Sequence, residues 1–129
     1  MTRTLIVDDE VDFAETLAER LSMRKFEAEV ATSAEEAIEK IRSGWTPDVV
    51  VLDLKMPGLD GMETLELIKQ HDPAIEVILL TGHGSTESAI TGMKRGLFDY
   101  LMKPIDIGIL IEKINEAAIK KRNGVPPVK

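Results

Sequence analysis

Four short stretches of this 129-residue chain carry side chains that could do chemistry together: Asp8-Asp9-Glu10, Asp53, Thr81-Gly82 and Lys103-Pro104. Each follows an apolar run, and each alone has a plain explanation. An Asp after a strand is commonly a turn former or helix cap, a Thr in that place is often a cap, and a Lys is usually a solvated charge. Gly82-His83-Gly84 is by itself a weak phosphate-loop signal. Together they share a chemistry. Carboxylates of Asp53 and of Asp8 or Asp9 brought ~4 Å apart repel by about 4 kcal/mol at an effective dielectric of ~20, so either a carboxylate pKa rises or a cation binds. Oxygen-only donors on an open rim favour a hard ion. Mg2+ fits best, because it binds through a few carboxylates and keeps waters that a phosphate can replace. Lys103, the Thr81 hydroxyl and the Gly82 amide form an anion site beside that cation site, and a phosphoryl group bonded to or resting on Asp53 would satisfy both. Pro104 lowers the trans preference of its preceding bond to roughly 0.5–1 kcal/mol, so a cis Lys103-Pro104 bond is expected to fix where the ammonium points.

These residues can meet only if the elements before them end on one rim. Apolar runs with β-branched residues occur at Leu5-Ile6-Val7, Val49-Val50-Val51-Leu52 and Val77-Ile78-Leu79-Leu80, with weaker ones at Glu29-Val30-Ala31 and Tyr100-Leu101-Met102. Unbroken runs suit strands buried on both faces. Between them the period becomes helical: Phe13, Leu17, Leu21; Ala34, Ala37, Ile38, Ile41; Met62, Leu65, Ile68; Ala89, Ile90, Met93; and Ile107, Leu110, Ile111, Ile114. Each set reads as one apolar stripe. Ser33 with Glu36 reads as a capping box, Asp60 with Glu63 resembles one, and Gly44 and Gly96 mark helix ends. Alternating strands and helices predict an α/β fold, a doubly wound five-stranded parallel sheet with helices on both faces. Ligands of such sheets bind beyond the carboxyl ends of the strands, where Asp8-Asp9, Asp53, Thr81 and Lys103 fall. Since neighbouring strand side chains alternate, only one of Asp8 and Asp9 is expected to reach a given point directly, the other flanking it.

Composition narrows the function. The net charge is −7, and Cys is absent. That excludes a disulfide framework, a thiolate metal site and a cysteine nucleophile, and the acidity argues against direct nucleic-acid binding by this segment. No apolar run reaches the roughly 18 residues of a membrane span, and the N-terminus lacks a signal peptide, so the reading is cytoplasmic. Trp45 is read as a loop residue, His71 as a helix-end charge, and the six Met as core filler. Lys120-Lys121-Arg122 suits a helix C-terminus. The expected division is a domain over 1–122, with 123–129 a tail or the start of a linker.

At this point the residues carry a resemblance. Asp8-Asp9, the run from Asp53 through Lys55-Met56-Pro57-Gly58 to Asp60-Gly61, Thr81-Gly82, and Phe98-Asp99-Tyr100-Leu101-Met102-Lys103-Pro104 resemble the receiver domain of two-component response regulators. The likeness covers residues 3 to 120, and the region from Phe98 to Ile107 resembles receivers of the nitrogen-regulation type. It implies a flavodoxin-like fold with strand order 2-1-3-4-5 and phosphorylation of Asp53. Asp9, Asp53 and the Lys55 backbone carbonyl would bind Mg2+ directly, while Asp8 would hold a metal-bound water. Lys103 would pair with the phosphoryl group, the Thr81 hydroxyl would close on it, and Tyr100 would change rotamer with Thr81. Lys55 and His83 occupy positions linked to dephosphorylation rate. The implied partners are a sensor histidine kinase or phosphotransfer protein, a downstream effector protein or a C-terminal output domain, and a second copy in a phosphorylation-linked homodimer.

Two other classes compete with this switch. A Mg2+-dependent phosphohydrolase with an Asp nucleophile would share Asp53 and Lys103, but the haloacid-dehalogenase type needs an acid two positions on, where Lys55 stands. A phosphate-independent interaction module would have no use for so complete a site.

Overall fold

The computed structural model describes residues 1–54, 60–82 and 84–122. Five strands alternate with five helices: β1 (Arg3–Val7), α1 (Val11–Met23), β2 (Glu27–Ala31), α2 (Ala34–Arg42), β3 (Val49–Leu52), α3 (Gly61–His71), β4 (Glu76–Thr81), α4 (Thr86–Lys94), β5 (Asp99–Met102) and α5 (Ile107–Arg122). All neighbouring strands are parallel, as the alternation predicts, and lie in the order β2-β1-β3-β4-β5 that the resemblance implies.

The sheet separates two cores. Leu5, Val7, Val50, Leu52, Val77 and Leu79 face α2 and α3, packing on Ile38, Leu65 and Ile68. Ile6, Val49, Val51, Ile78 and Leu80 face α1 and α5, packing on Leu17, Leu21 and Ile114. β1, β3 and β4 are therefore buried on both faces, and each fully buried aliphatic contributes about 1.5–3 kcal/mol. β2 and β5 are the edges and are only partly covered.

Register sets the rim. Val7 is the partner of Leu52, so Asp8 and Asp53 leave the sheet side by side, and the Asp53 amide donates to the Val7 carbonyl at 3.0 Å. Thr81 is the partner of Met102, and the Lys103 amide donates to the Thr81 carbonyl at 2.8 Å. All four side chains thus originate at one end of the sheet.

Several local expectations change. Ser33 caps α2 by accepting from the Glu36 amide at 3.1 Å, but the Glu36 carboxylate bonds the Thr32 amide and hydroxyl, so the box is not reciprocal. Asp60 and Glu63 do form the reciprocal box, and Ser85 with Ser88 forms another. Gly44 and Gly96 follow their helices at φ 106° and 105°, the left-handed region in which Gly carries no Cβ penalty. The predicted stripe of α4 holds at Ala89 but not at Ile90 and Met93, which are 52% and 49% exposed. Gly92 is the buried residue instead, and a Cβ there would meet Leu97 Cδ1 at 2.3 Å. This close approach turns Ser88, Ala89 and Gly92 inward and Ile90 out.

Among the described residues most methionines are not core filler. Met1, Met23, Met93 and Met102 are exposed and, of the described methionines, Met62 packs on a core; Met56 lies outside the described residues. Trp45 is in a loop, with its indole donating to Glu27 Oε2 at 3.1 Å. The basic end of α5 does more than suit a helix dipole: Lys120 pairs with buried Glu76 at 3.6 Å and Lys121 with Asp48 at 3.2 Å.

Candidate functional site

The chain leaves β1 after Val7. The Asp8 amide makes a sheet-like bond to the Ala31 carbonyl at 3.0 Å, and Asp8 Oδ1 then accepts from the Glu10 amide at 2.9 Å, turning the backbone into α1. Because this turn breaks the strand's alternation, Asp8 and Asp9 both reach the site. Asp8, Asp9 and Asp53 each present a carboxylate oxygen, and these atoms lie within 4.8 Å of one another. The expectation that only one of the pair would reach a shared point is thereby corrected. They differ in burial, Asp8 and Asp53 being buried and Asp9 exposed, so Asp9 forms the open side of the cluster.

β3 carries Asp53 to 5% exposure. α3 starts close behind it: the Gly61 amide donates to the Leu54 carbonyl at 2.8 Å, and a Cβ on Gly61 would stand 2.7 Å from Leu54 Cα. Gly61 is therefore what lets α3 start directly against the backbone of Asp53 and Leu54.

Lys103 enters from the end of β5, and the Lys103-Pro104 bond is cis. Its Nζ donates to Asp8 Oδ2 at 2.8 Å and to Glu10 Oε1, and it stands 3.8 Å from Asp53 Oδ2. The Phe13 ring lies beneath it, 4.6 Å from the ammonium to the centroid, a distance suited to cation–π attraction. Burial alone would lower the Lys103 pKa, but the hydrogen bonds to Asp8 and Glu10 and the charges of Asp8 and Asp53 hold it above the usual lysine value. Burial pushes the Asp8 carboxyl above its ordinary range, although Lys103 and the Glu10 amide pull it down; the charge of Asp53 adds to the rise.

Thr81 is fully buried at the end of β4, and Gly82 beside it is exposed. Tyr100 sits on the neighbouring strand, with its ring end over Gly84, where a Cβ would lie 2.0 Å from the phenol oxygen. The Tyr100 oxygen accepts from the Ser85 amide at 3.0 Å and shares a hydrogen bond with Ser88 Oγ at 2.8 Å. Tyr100 is thus tied to the first turn of α4. Lys55, whose carbonyl is an expected metal ligand, His83, and the segment 123–129 lie outside the described residues.

Glu10, Phe13 and Ser88 were not singled out as site residues in the sequence. Glu10 closes the stretch Asp8-Asp9-Glu10 without a role of its own, Phe13 reads as part of the α1 stripe, and Ser88 carries no signal in the sequence. Only the fold shows that Lys103 and Tyr100 arrive opposite them.

The donor set fits a divalent metal: the acidic cluster offers hard oxygen ligands without nitrogen or sulfur. With a lysine ammonium beside one of the carboxylates, the rim can take both a cation and an anionic group.

This fold with this rim belongs to a known class of signalling module. Residues 4–115 match the family of the response regulator receiver domain, and the chain belongs to that family. Among its relatives is the nitrogen assimilation regulatory protein NtrX of Azorhizobium caulinodans, 36% identical over 118 residues that make up 90% of this chain and 26% of that protein. A receiver domain from Clostridium thermocellum superposes with a TM-score of 0.89 at 36% identity, covering 97% of this chain and 100% of that one. The beryllofluoride-activated NtrC4 receiver domain dimer gives 0.87 at 34% identity over 94% of this chain and 99% of that one. The chain spans about a quarter of the length of the curated relatives it matches. The likeness of the Phe98–Ile107 region to nitrogen-regulation receivers agrees with these relatives. Among the described residues no helix is long and apolar enough to cross a membrane.

Proposed function

We propose that Asp53 accepts a phosphoryl group in a Mg2+-dependent reaction and that the chain thereby works as a two-state switch, not as a turnover enzyme. The observation that carries this reading is the joint placement of the Asp8, Asp9 and Asp53 carboxylates within 4.8 Å of one another and of the Lys103 ammonium 3.8 Å from Asp53.

Asp9, Asp53 and the Lys55 carbonyl would hold Mg2+, with Asp8 on a metal-bound water; when bound, the ion supplies positive charge to the transferring phosphoryl oxygens. An Asp53 oxygen attacks phosphorus, the N–P bond of a phosphohistidine donor breaks, and its electron pair remains on the imidazole nitrogen. Lys103 neutralises the phosphoryl oxygens, and the Thr81 hydroxyl and Gly82 amide donate to them. The product adds about −2 of charge and new acceptor oxygens. Thr81 moves inward to meet them, and Tyr100 responds by leaving its bonds to the first turn of α4. Complete switching needs about 5.5 kcal/mol of differential interaction, more than one neutral hydrogen bond supplies, so the Lys103 and metal contacts share it.

The donor on this reading is a sensor histidine kinase or phosphotransfer protein in the cytoplasm. The reader of the switch is an effector protein or an output domain linked through 123–129 to the receiver of 1–122. A phosphorylation-linked homodimer is supported by the dimeric NtrC4 receiver among its structural neighbours.

Intact mass after incubation with Mg2+ and a small acyl phosphate tests the proposal. One labile phosphate on the wild type, absent from Asp53→Ala and absent without Mg2+, is the expected result. No adduct would contradict it, and sustained turnover of phosphomonoesters would favour a hydrolase.

A further inference from the structure

We propose that Glu10 restrains the site, holding the Lys103 ammonium in the unphosphorylated protein and yielding it when Asp53 carries a phosphoryl group. The inference rests on the phosphoacceptor reading above and adds a residue to which that reading gives no task.

Glu10 occupies the N-cap position of α1, yet its side chain makes no capping bond there. Its carboxylate reaches across the rim to Lys103 instead. An ammonium has three donors. Two are engaged by Asp8 and Glu10, Phe13 lies below, and Asp53 at 3.8 Å is beyond hydrogen-bond reach. The acids facing Lys103 are therefore not equivalent. Asp8 has a side chain 3% exposed and is fixed by the Glu10 amide, whereas the Glu10 side chain is 63% exposed.

A phosphoryl group on Asp53 places new anionic oxygens beside this cation. The third donor can meet one of these oxygens, and any further bond to the phosphoryl group requires an existing partner to weaken; burial decides which. Asp8 cannot be rehydrated without opening the fold, since ionised groups are costly to leave unpaired inside. Glu10, with its side chain 63% exposed, already stands largely in water and is itself repelled by the incoming charge. The Glu10–Lys103 contact therefore stabilises the unphosphorylated state selectively, and its strength is subtracted from what phosphorylation must supply.

The test compares wild type, Glu10→Gln and Glu10→Asp as full chains, titrated with beryllofluoride in Mg2+ and followed by NMR. Glu10→Asp keeps the charge but shortens the reach. Both variants should bind the mimic more tightly, by about two- to fivefold, the range expected for loss of a mostly exposed ion pair. Without beryllofluoride, the 15N resonance of the Lys103 ammonium should move in both. Tightening in Glu10→Gln alone would assign the effect to general charge and overturn the restraint. Unchanged or weaker binding in both, or an unmoved Lys103 resonance, would also overturn it. Failure of the wild type to bind beryllofluoride would instead remove the phosphoacceptor reading and this inference with it.

Discussion

Lys103 Nζ stands 3.8 Å from Asp53 Oδ2, close enough to share its charge and too far to hydrogen-bond to it. The ammonium is in place before any phosphoryl group arrives, held by Asp8 at 2.8 Å. On the proposed reading, a phosphoryl group on Asp53 would extend the acceptor oxygens outward from the carboxylate, and the gap would be room for the product.

Lys103 should accordingly matter for transfer and for the response. Lys103→Ala is expected to slow phosphorylation by small acyl phosphates by about 10²–10³-fold, the scale for losing one preorganised charge donor. Lys103→Arg should not rescue it, because a planar guanidinium does not occupy the place of a compact ammonium over Phe13. Phosphorylation time courses by intact mass measure both.

Asp8 should cost stability at neutral pH. Burial holds its folded-state pKa above the ordinary 3.8. A raised acid contributes stability that is fully present below the unfolded value and lost as pH rises through the folded value. Asp8→Asn should therefore raise the metal-free unfolding midpoint at pH 7 by a few degrees, and the gain should vanish as pH falls below 3.8. Thermal unfolding across that range is the check; a gain that persists or grows in acid would contradict it.

Divalent metal should offset the repulsion among the Asp8, Asp9 and Asp53 carboxylates. Mg2+ at about 100 times its dissociation constant should stabilise the wild type by about 2.7 kcal/mol. Asp9→Asn and Asp53→Asn, each removing one oxygen of the cluster, should lose most of that gain while folding normally. Unfolding curves with and without Mg2+ measure the difference.

Tyr100 should report on the first turn of α4, since its phenol oxygen accepts from the Ser85 amide and meets Ser88 Oγ. Tyr100→Phe removes one of the two acceptors of the Ser85 amide, leaving Ser88 Oγ at 3.0 Å, and should let that amide exchange faster, at a cost of about 1 kcal/mol locally. Ser88→Ala should have a similar effect, since it also removes half of the Ser85 capping box. Hydrogen exchange resolved at Ser85 measures both; unchanged protection would show that the cap does not depend on the phenol.

Much of this was legible in the sequence because burial writes itself as composition. β1, β3 and β4 are covered on both faces and read as unbroken runs, and their polar terminators Asp8, Asp53 and Thr81 follow from where the runs stop. α4 was misread because its inward face is made of Ser88, Ala89 and Gly92: a helix that packs by backbone approach has no apolar stripe to show. The exposed Met93 and Met102 were misplaced for a related reason, since a polarisable side chain reads as core wherever it stands. The proximity of Asp8 to Asp53 depends on Val7 pairing with Leu52, a register fixed by contacts between distant segments. The pairing of Glu10 with Lys103 spans 93 positions and leaves no local pattern at either residue.

The central claim is that the phosphoryl group resides on Asp53. Borohydride reduces an acyl phosphate to an alcohol, so phosphorylated protein treated with it and digested should carry the aspartate-to-homoserine mass change at Asp53 alone, in a Mg2+-dependent amount. The change at Asp8, Asp9 or another acid, or an unmodified Asp53 in protein that carries phosphate, would contradict the account.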